Sequence, residues 1–189
     1  MSDFTIHDIQ SAPEGSKPLL EGSQKAFGSI PNLHGVMAES PQHLEAYQKL
    51  HELFQATSFT NEERTVVWQT INVENHCHYC VPAHTAIAKS QGVSDDVTNA
   101  LREERPLADS RLEALRQFTL SVVREKGEVS KDDLEAFYAA GFDKRAVLDV
   151  ILGLSQKVLS NYVNHIADTP VDKAFQPFAW NAGRATKAA

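Results

Sequence analysis

Both cysteines of this 189-residue chain and three of its eight histidines lie in one ten-residue stretch, N-H-C-H-Y-C-V-P-A-H, from Asn75 to His84. Two thiols three residues apart, with imidazoles beside them, suit metal ligation, inert packing or reversible dithiol/disulfide exchange. Zinc would draw on Cys77, Cys80 and His84, with His76 or His78 in reserve. Structural zinc normally collects ligands from two chain segments, however, and no second Cys pair or H-x3-5-H stands elsewhere. Packing accounts readily for either cysteine alone, and less readily for a C-x-x-C with a histidine one turn later. If a helix starts near Cys77, residues 77, 80 and 84 stand at about 0°, 300° and 340° around its axis, so both thiols share a face with His84. The unsatisfied N–H groups and positive dipole end of such a helix favour thiolate over thiol. C-x-x-C spacing also lets a resolving thiol reach an oxidised one with little backbone movement, which favours a redox pair, with His84 as its base or relay.

The rest of the composition narrows the setting. A net charge of −7, from 18 Lys+Arg against 25 Asp+Glu, gives no electrostatic footprint for nucleic acid or for an anionic membrane surface. Without a run of 18 apolar residues or a signal-peptide pattern in M-S-D-F-T-I-H-D-I-Q, a cytoplasmic protein without a membrane partner is expected. Two cysteines are too few for a disulfide-stapled secreted scaffold.

The elements that must position the pair read as all-α. Residues 1–39, punctuated by Pro13, Gly15, Pro18, Gly22, Gly28, Pro31 and Gly35, read as a loop-like N-terminal arm with one helical turn near Gln24 to Phe27. Ser40-Pro41 opens a helix through Leu44, Tyr47, Leu50, Leu53 and Phe54 to about Thr57. Thr60 with Glu63 makes a capping box for a second helix to about Glu74. The cysteine helix should begin near Cys77 and stop before Gly92, with Pro82 in its first turn. Further helices are expected over Ser94 to Glu104, Leu107 to Lys126 and Ser130 to Ala140. A long apolar helix should run from Asp143 through Val147, Val150, Ile151, Leu154, Val158, Leu159, Tyr162 and Ile166. Strand-like alternation is absent, and the organisation reads as an arm (1–39), a helical domain (40–176) and a tail (177–189) that frays from Trp180.

The stretch T-N-E-E-R-T-V-V-W-Q-T-I-N-V-E-N-H-C-H-Y-C-V-P-A-H, Thr60 to His84, resembles the core motif of the AhpD-like alkylhydroperoxidases of the carboxymuconolactone decarboxylase superfamily; C-x-Y-C-x-x-A-H is its specific part. The segments S-I-P-N-L-H-G-V-M-A-E-S-P and N-Y-V-N-H-I-A-D-T-P are similar to flanking segments of an uncharacterised peroxidase-related branch. The resemblance implies an all-α helical bundle that forms homo-oligomers and reduces hydroperoxides without a metal or other cofactor. It implies that Cys80 attacks the peroxide and Cys77 resolves the resulting sulfenic acid. His84 matches the histidine of the family's proton relay, and an external dithiol, from a lipoyl-bearing or thioredoxin-like protein, would reopen the disulfide. The relay's glutamate falls at Thr65 here, a departure. Glu62, one turn earlier, and Glu74, three residues before Cys77, are the available carboxylates, and Glu74 is preferred because E-N-x-C resembles the related branch. Two other functions compete with the peroxidase: a non-enzymatic redox-sensing oligomer, and lactone decarboxylation, which needs no C-x-x-C.

Overall fold

The computed structural model describes residues 3–181, and among them every regular element is helical. The α-helices are α1 (Lys17–Phe27), α2 (Asn32–Met37), α3 (Pro41–Gln55), α4 (Asn61–Glu74), α5 (Cys80–Ser90), α6 (Asp95–Arg102), α7 (Ser110–Arg124), α8 (Lys131–Ala139) and α9 (Lys144–Ala167). The capping signals act as the sequence implies. Thr60 and Glu63 close the capping box of α4, and Ser40, Ser130 and Asp143 accept backbone N–H bonds at the starts of α3, α8 and α9.

Helix α4 is the centre of the bundle, packed against α5, α6, α7 and α9. From Thr65 to Val73 every residue is buried, the polar Gln69, Thr70 and Asn72 included. A helix contacted from every side has no solvent stripe, so its polar positions must find partners within the protein. Around its N-terminal part lies the main apolar core, in which Phe54, Val67, Trp68, Ile71, Leu115, Phe118, Phe137 and Val150 meet.

A second cluster joins Leu20, Leu33, Met37, Leu44 and Tyr47 to Cys77, Tyr79, Cys80 and Ala83. Residues 1–39 are therefore no loop-like arm where they are described: α1, α2 and a 3-10 turn at Glu14–Ser16 form a layer over the cysteines. The punctuating residues sit where helices admit them. Pro18 is in the first turn of α1, and Gly28, at φ 75°, ends it in the left-handed conformation. Gly35 lies inside α2 because residues 6–7 cross it: a Cβ there would stand 2.7 Å from Ile6 Cγ2 and 2.8 Å from the His7 carbonyl oxygen. Where the expected tail begins, Gln176–Phe178 is a 3-10 turn, and Arg102 donates to the carbonyls of Phe178 and Ala179, at 3.1 and 3.2 Å, so the start of the tail docks on α6. Residues 182–189 lie outside the described residues.

Candidate active site

Helix α4 ends in a Schellman-type turn that places the cysteines. His76 takes the left-handed conformation (φ 51°), its N–H reaches the Val73 carbonyl at 2.8 Å, and the Cys77 N–H reaches the Asn72 carbonyl at 2.9 Å. Helix α5 begins three residues later than the sequence suggests, so Cys80 and not Cys77 occupies the first helical position. Cys77 stands just outside, where its Sγ accepts the Cys80 N–H at 3.2 Å in the manner of a cap. Both cysteines are free and buried.

A cavity of about 450 Å³ opens on Cys80. Its wall combines Phe27, Tyr47, Ile87 and Phe175 with His34, His84 and Lys157; Cys77 is not on it. A molecule in the cavity therefore meets one thiol, with the other behind it. Asn164 of α9 donates its amide N–H to Cys80 Sγ at 3.3 Å and stands 3.8 Å from Cys77 Sγ.

The thiols divide electrostatically. Burial alone would raise the Cys80 pKa, but the Cys77 thiol, the Lys157 charge, the Ser160 hydroxyl and the Asn161 amide outweigh it and bring it down to about 6. Cys77 is pushed well up, by burial first and then by its hydrogen bond to Cys80 and the charge there. The arrangement favours one thiolate, on Cys80, receiving a hydrogen bond from one thiol.

His84 joins the site through a contact absent from the sequence reading. Lys157 Nζ donates to His84 Nε2 at 2.7 Å, and both residues are buried. Burial and the neighbouring Lys157 and His51 hold the imidazole pKa well below its usual value, so His84 is neutral. Its ring tilts against Trp68 at 4.8 Å, and Trp68 stacks on His51 at 5.4 Å. Trp68 Nε1–H also donates to Gln156 Oε1 at 2.7 Å, and Gln156 donates to His51 Nδ1 at 3.1 Å, which fixes the back of the site.

Neither candidate carboxylate is at the cavity. Glu74 is held in a fork by Arg124, both contacts 2.8 Å, and does not line the cavity. Glu62 is half-buried in the first turn of α4, also away from the cavity wall. Thr65, at the position where the motif resemblance places a relay glutamate, turns its hydroxyl back to the Asn61 carbonyl at 2.9 Å. Geometry thus gathers Cys77, Cys80 and His84 and leaves Glu74 outside, a correction to the expected relay; the Arg124 guanidinium at the end of α7 takes the carboxylate instead. Among the described residues, no three His, Cys, Asp or Glu side chains are grouped to hold a metal ion.

Sequence reasoning missed the polar face of α9. Read as an apolar helix, it turns Gln156, Lys157, Ser160, Asn161 and Asn164 inward, while Tyr162 and Ile166 are exposed. Asn161 donates to Asn72 Oδ1 at 3.0 Å and accepts from Asn75 at 2.9 Å; Asn72 donates to Gln69 Oε1 at 3.2 Å. The spacing 157, 160/161, 164 is helical, and that polar periodicity is the signal that could have found the face.

Tyr79 and His78 tie the site to its cover. The Tyr79 hydroxyl donates to Asp172 and accepts the Leu33 N–H at 3.3 Å, and the His78 ring donates to the Thr169 carbonyl at 3.0 Å. Asp172 in turn accepts the Asn32 N–H at 3.1 Å, so the layer of α1 and α2 and the segment after α9 are latched together over Cys80.

Among the described residues no helix is long and apolar enough to cross a membrane. No protein-family model matches the chain, and no curated protein does. Solved structures do match. A protein from Ralstonia eutropha JMP134, described as an alkylhydroperoxidase AhpD core and uncharacterised peroxidase-related protein, superposes with TM-score 0.81 at 22% identity over 92% of this chain and 94% of its own. An uncharacterised peroxidase-related protein from Silicibacter sp. TM1040 gives 0.76 at 20% identity over 92% and 94%. The debrominase Bmp8, in a cysteine-to-alanine variant complexed with 2,3,4-tribromopyrrole, gives 0.78 at 16% identity over 94% and 95%. The chain has the all-α fold of the AhpD-like, peroxidase-related proteins that its C-x-Y-C-x-x-A-H motif resembles.

Proposed function

We propose that the protein is a thiol-dependent peroxidase that reduces organic hydroperoxides with Cys80 and Cys77. The observation that carries this reading is the asymmetry of the pair: Cys80 alone faces the cavity and is the thiol drawn toward its thiolate. The Cys80 thiolate attacks the distal oxygen of the hydroperoxide, the O–O bond breaks, and Cys80 becomes a sulfenic acid while an alkoxide leaves and takes a proton. The Cys77 thiol then attacks the sulfenic sulfur, releasing water and closing the disulfide. An external dithiol, on a lipoyl-bearing or thioredoxin-like protein, reopens it. Neutral His84, fixed by Lys157 and Trp68, orients the groups around the thiolate and does not itself bear the charge. Assembly into a cytoplasmic homo-oligomer belongs to the same reading, and the exposed Leu148, Tyr162 and Ile166 of α9 suit a self-contact that light scattering would detect.

Cumene hydroperoxide consumption coupled to a dithiol tests the reading. Cys80→Ala should abolish turnover, and Cys77→Ala should give at most one oxidation per site. Turnover unaffected by Cys80→Ala overturns it. A second reading has its own support: the cavity has the volume and aromatic wall to take a halogenated arene, and debrominase structures share the fold. The same dithiol would replace aryl C–Br by C–H, forming the disulfide and HBr; bromide release from a bromopyrrole, without hydroperoxide turnover, would select it.

A further inference from the structure

We propose that Lys157 is the counter-ion of the Cys80 thiolate and the acid that protonates the leaving alkoxide, a cation standing in for the family's relay carboxylate. This rests on the peroxidase reading only for its second half. Lys157 is fully buried on α9 and lines the cavity beside Cys80 and His84. Among the described residues no carboxylate stands within 4 Å of its ammonium, although ten other ion pairs do form, nearly all at the surface. A buried cation with only a neutral hydrogen-bond partner is expensive, so a charge of opposite sign must be close by or the amine must be neutral. The groups facing it are Cys80, Cys77, His84 and His51. Both imidazoles are held neutral by burial, and the Cys77 pKa is pushed up, which leaves the Cys80 thiolate as the compensating anion. Asp172, the carboxylate on the cavity wall, is already occupied by Tyr79 and the Asn32 N–H.

The charges stay balanced through the cycle. Thiolate and ammonium sum to zero at the start. Sulfur attack gives a neutral sulfenic acid and an alkoxide, and transfer of a Lys157 proton gives a neutral alcohol and a neutral amine. Burial lowers the ammonium pKa and so makes it a better acid, while the thiolate, until it is consumed, opposes that shift. When the disulfide is later reduced, the Cys80 thiol returns its proton to the amine. A carboxylate beside His84 would instead add a second buried negative charge to the thiolate.

The test is iodoacetamide alkylation of Cys80 against pH in the Cys77→Ala protein, with Lys157→Met and Lys157→Arg compared. Met should raise the midpoint of alkylation by at least one pH unit, which lowers the rate about twofold or more at neutrality and about tenfold below the native midpoint, and Arg should restore most of it. A purely structural lysine would lower stability and leave the midpoint alone, and an unchanged midpoint in folded Lys157→Met overturns the proposal. A second measurement does not depend on that variant folding. Linkage is reciprocal, so Cys80→Ser should lower the pKa of Lys157, read by 13Cε chemical shift, by as much as the lysine lowers the thiol's. An identical lysine titration in both proteins also overturns it. Absence of hydroperoxide turnover in the native protein would remove the peroxidase reading and leave the thiolate–ammonium pair standing, because neither titration uses a peroxide.

Discussion

The two halves of α9 use one helix for opposite purposes. From Lys144 to Gly153 the buried positions, Ala146, Val150 and Gly153, are small or apolar and close the main core against Phe54 and Val67. From Gln156 to Asn164 the buried positions carry amides, a hydroxyl and an ammonium, and the large apolar residues Tyr162 and Ile166 face outward. The first half follows from the hydrophobic effect alone. The second follows from partner satisfaction: a polar residue is tolerated inside where another polar group waits, and α4 and the cysteine turn supply Asn72, Asn75 and the thiols. One half of the helix fixes the fold and the other sets the chemistry of Cys80.

The largest effect that tests this division is on the apolar side. Phe137 stacks between Phe118 at 4.1 Å and Phe142 at 4.5 Å, in the main core and not in the cluster that holds the cysteines. Phe137→Ala should cost about 3–5 kcal/mol in urea unfolding, from lost burial plus a cavity, and leave the alkylation midpoint of Cys80 where it was. A shifted midpoint in the folded variant would show that the two regions are one unit.

On the polar side the stability loss should be smaller and the chemical effect larger. Asn161→Leu keeps the volume near constant but strands Asn72 Oδ1 and the Asn75 amide, which costs about 1–3 kcal/mol. It also removes a donor that helps bring the Cys80 pKa down to about 6, so alkylation should begin at higher pH than in the native protein. The sign is that of any acid losing stabilisation of its anion: less thiolate at a given pH. An Asn161→Leu protein with the native midpoint would remove the amide from the site.

Gly153, where the two halves meet, gives a third probe. A Cβ there would stand 2.7 Å from Phe54 Cε2 and 3.0 Å from Val67 Cγ1. Overpacking costs about 1–3 kcal/mol, and alanine recovers about 1 kcal/mol of helix propensity, so thermal unfolding of Gly153→Ala should show a net loss of at most about 2 kcal/mol. A stabilised variant would mean that α9 can move off α3 without penalty.

The same comparison explains what could be read from sequence. Helix α4 with its Thr60/Glu63 box, the Ser and Asp caps, and the first half of α9 were legible because local capping and apolar periodicity decide them. The layer of α1 and α2 was not, since Pro18 and Gly28 mark helix ends as readily as loops, and the glycine at 35 answers to residues 6–7, distant in the chain. Of the site, the thiols and His84 were visible as a spacing, but Lys157 lies 73 positions from His84 and looks like any surface lysine on an amphipathic helix. Its burial depends on tertiary partners that no local pattern announces. Glu74 shows the converse, a carboxylate close to the cysteines in sequence that is claimed by Arg124, 50 residues away.

Glu74 therefore gives the smallest and sharpest prediction. The ion pair lies at the surface end of α4, with the Arg124 side chain about half exposed, and such pairs contribute about 0–1 kcal/mol. Its carboxyl pKa is lowered, mainly by the Arg124 hydrogen bond, so any stabilisation is present above the unfolded value of about 4.3 and is lost as pH falls through the folded one. Glu74→Gln should thus cost less than about 1 kcal/mol at neutral pH, with the difference vanishing in acid, when unfolding of the two proteins is compared across pH. The Cys80 alkylation midpoint should not move, because the carboxylate is paired with Arg124 and does not line the cavity. If neutralising Glu74 raised that midpoint, the carboxylate would be acting on the thiol after all, and the assignment of the thiolate's charge balance to the second half of α9 would fail.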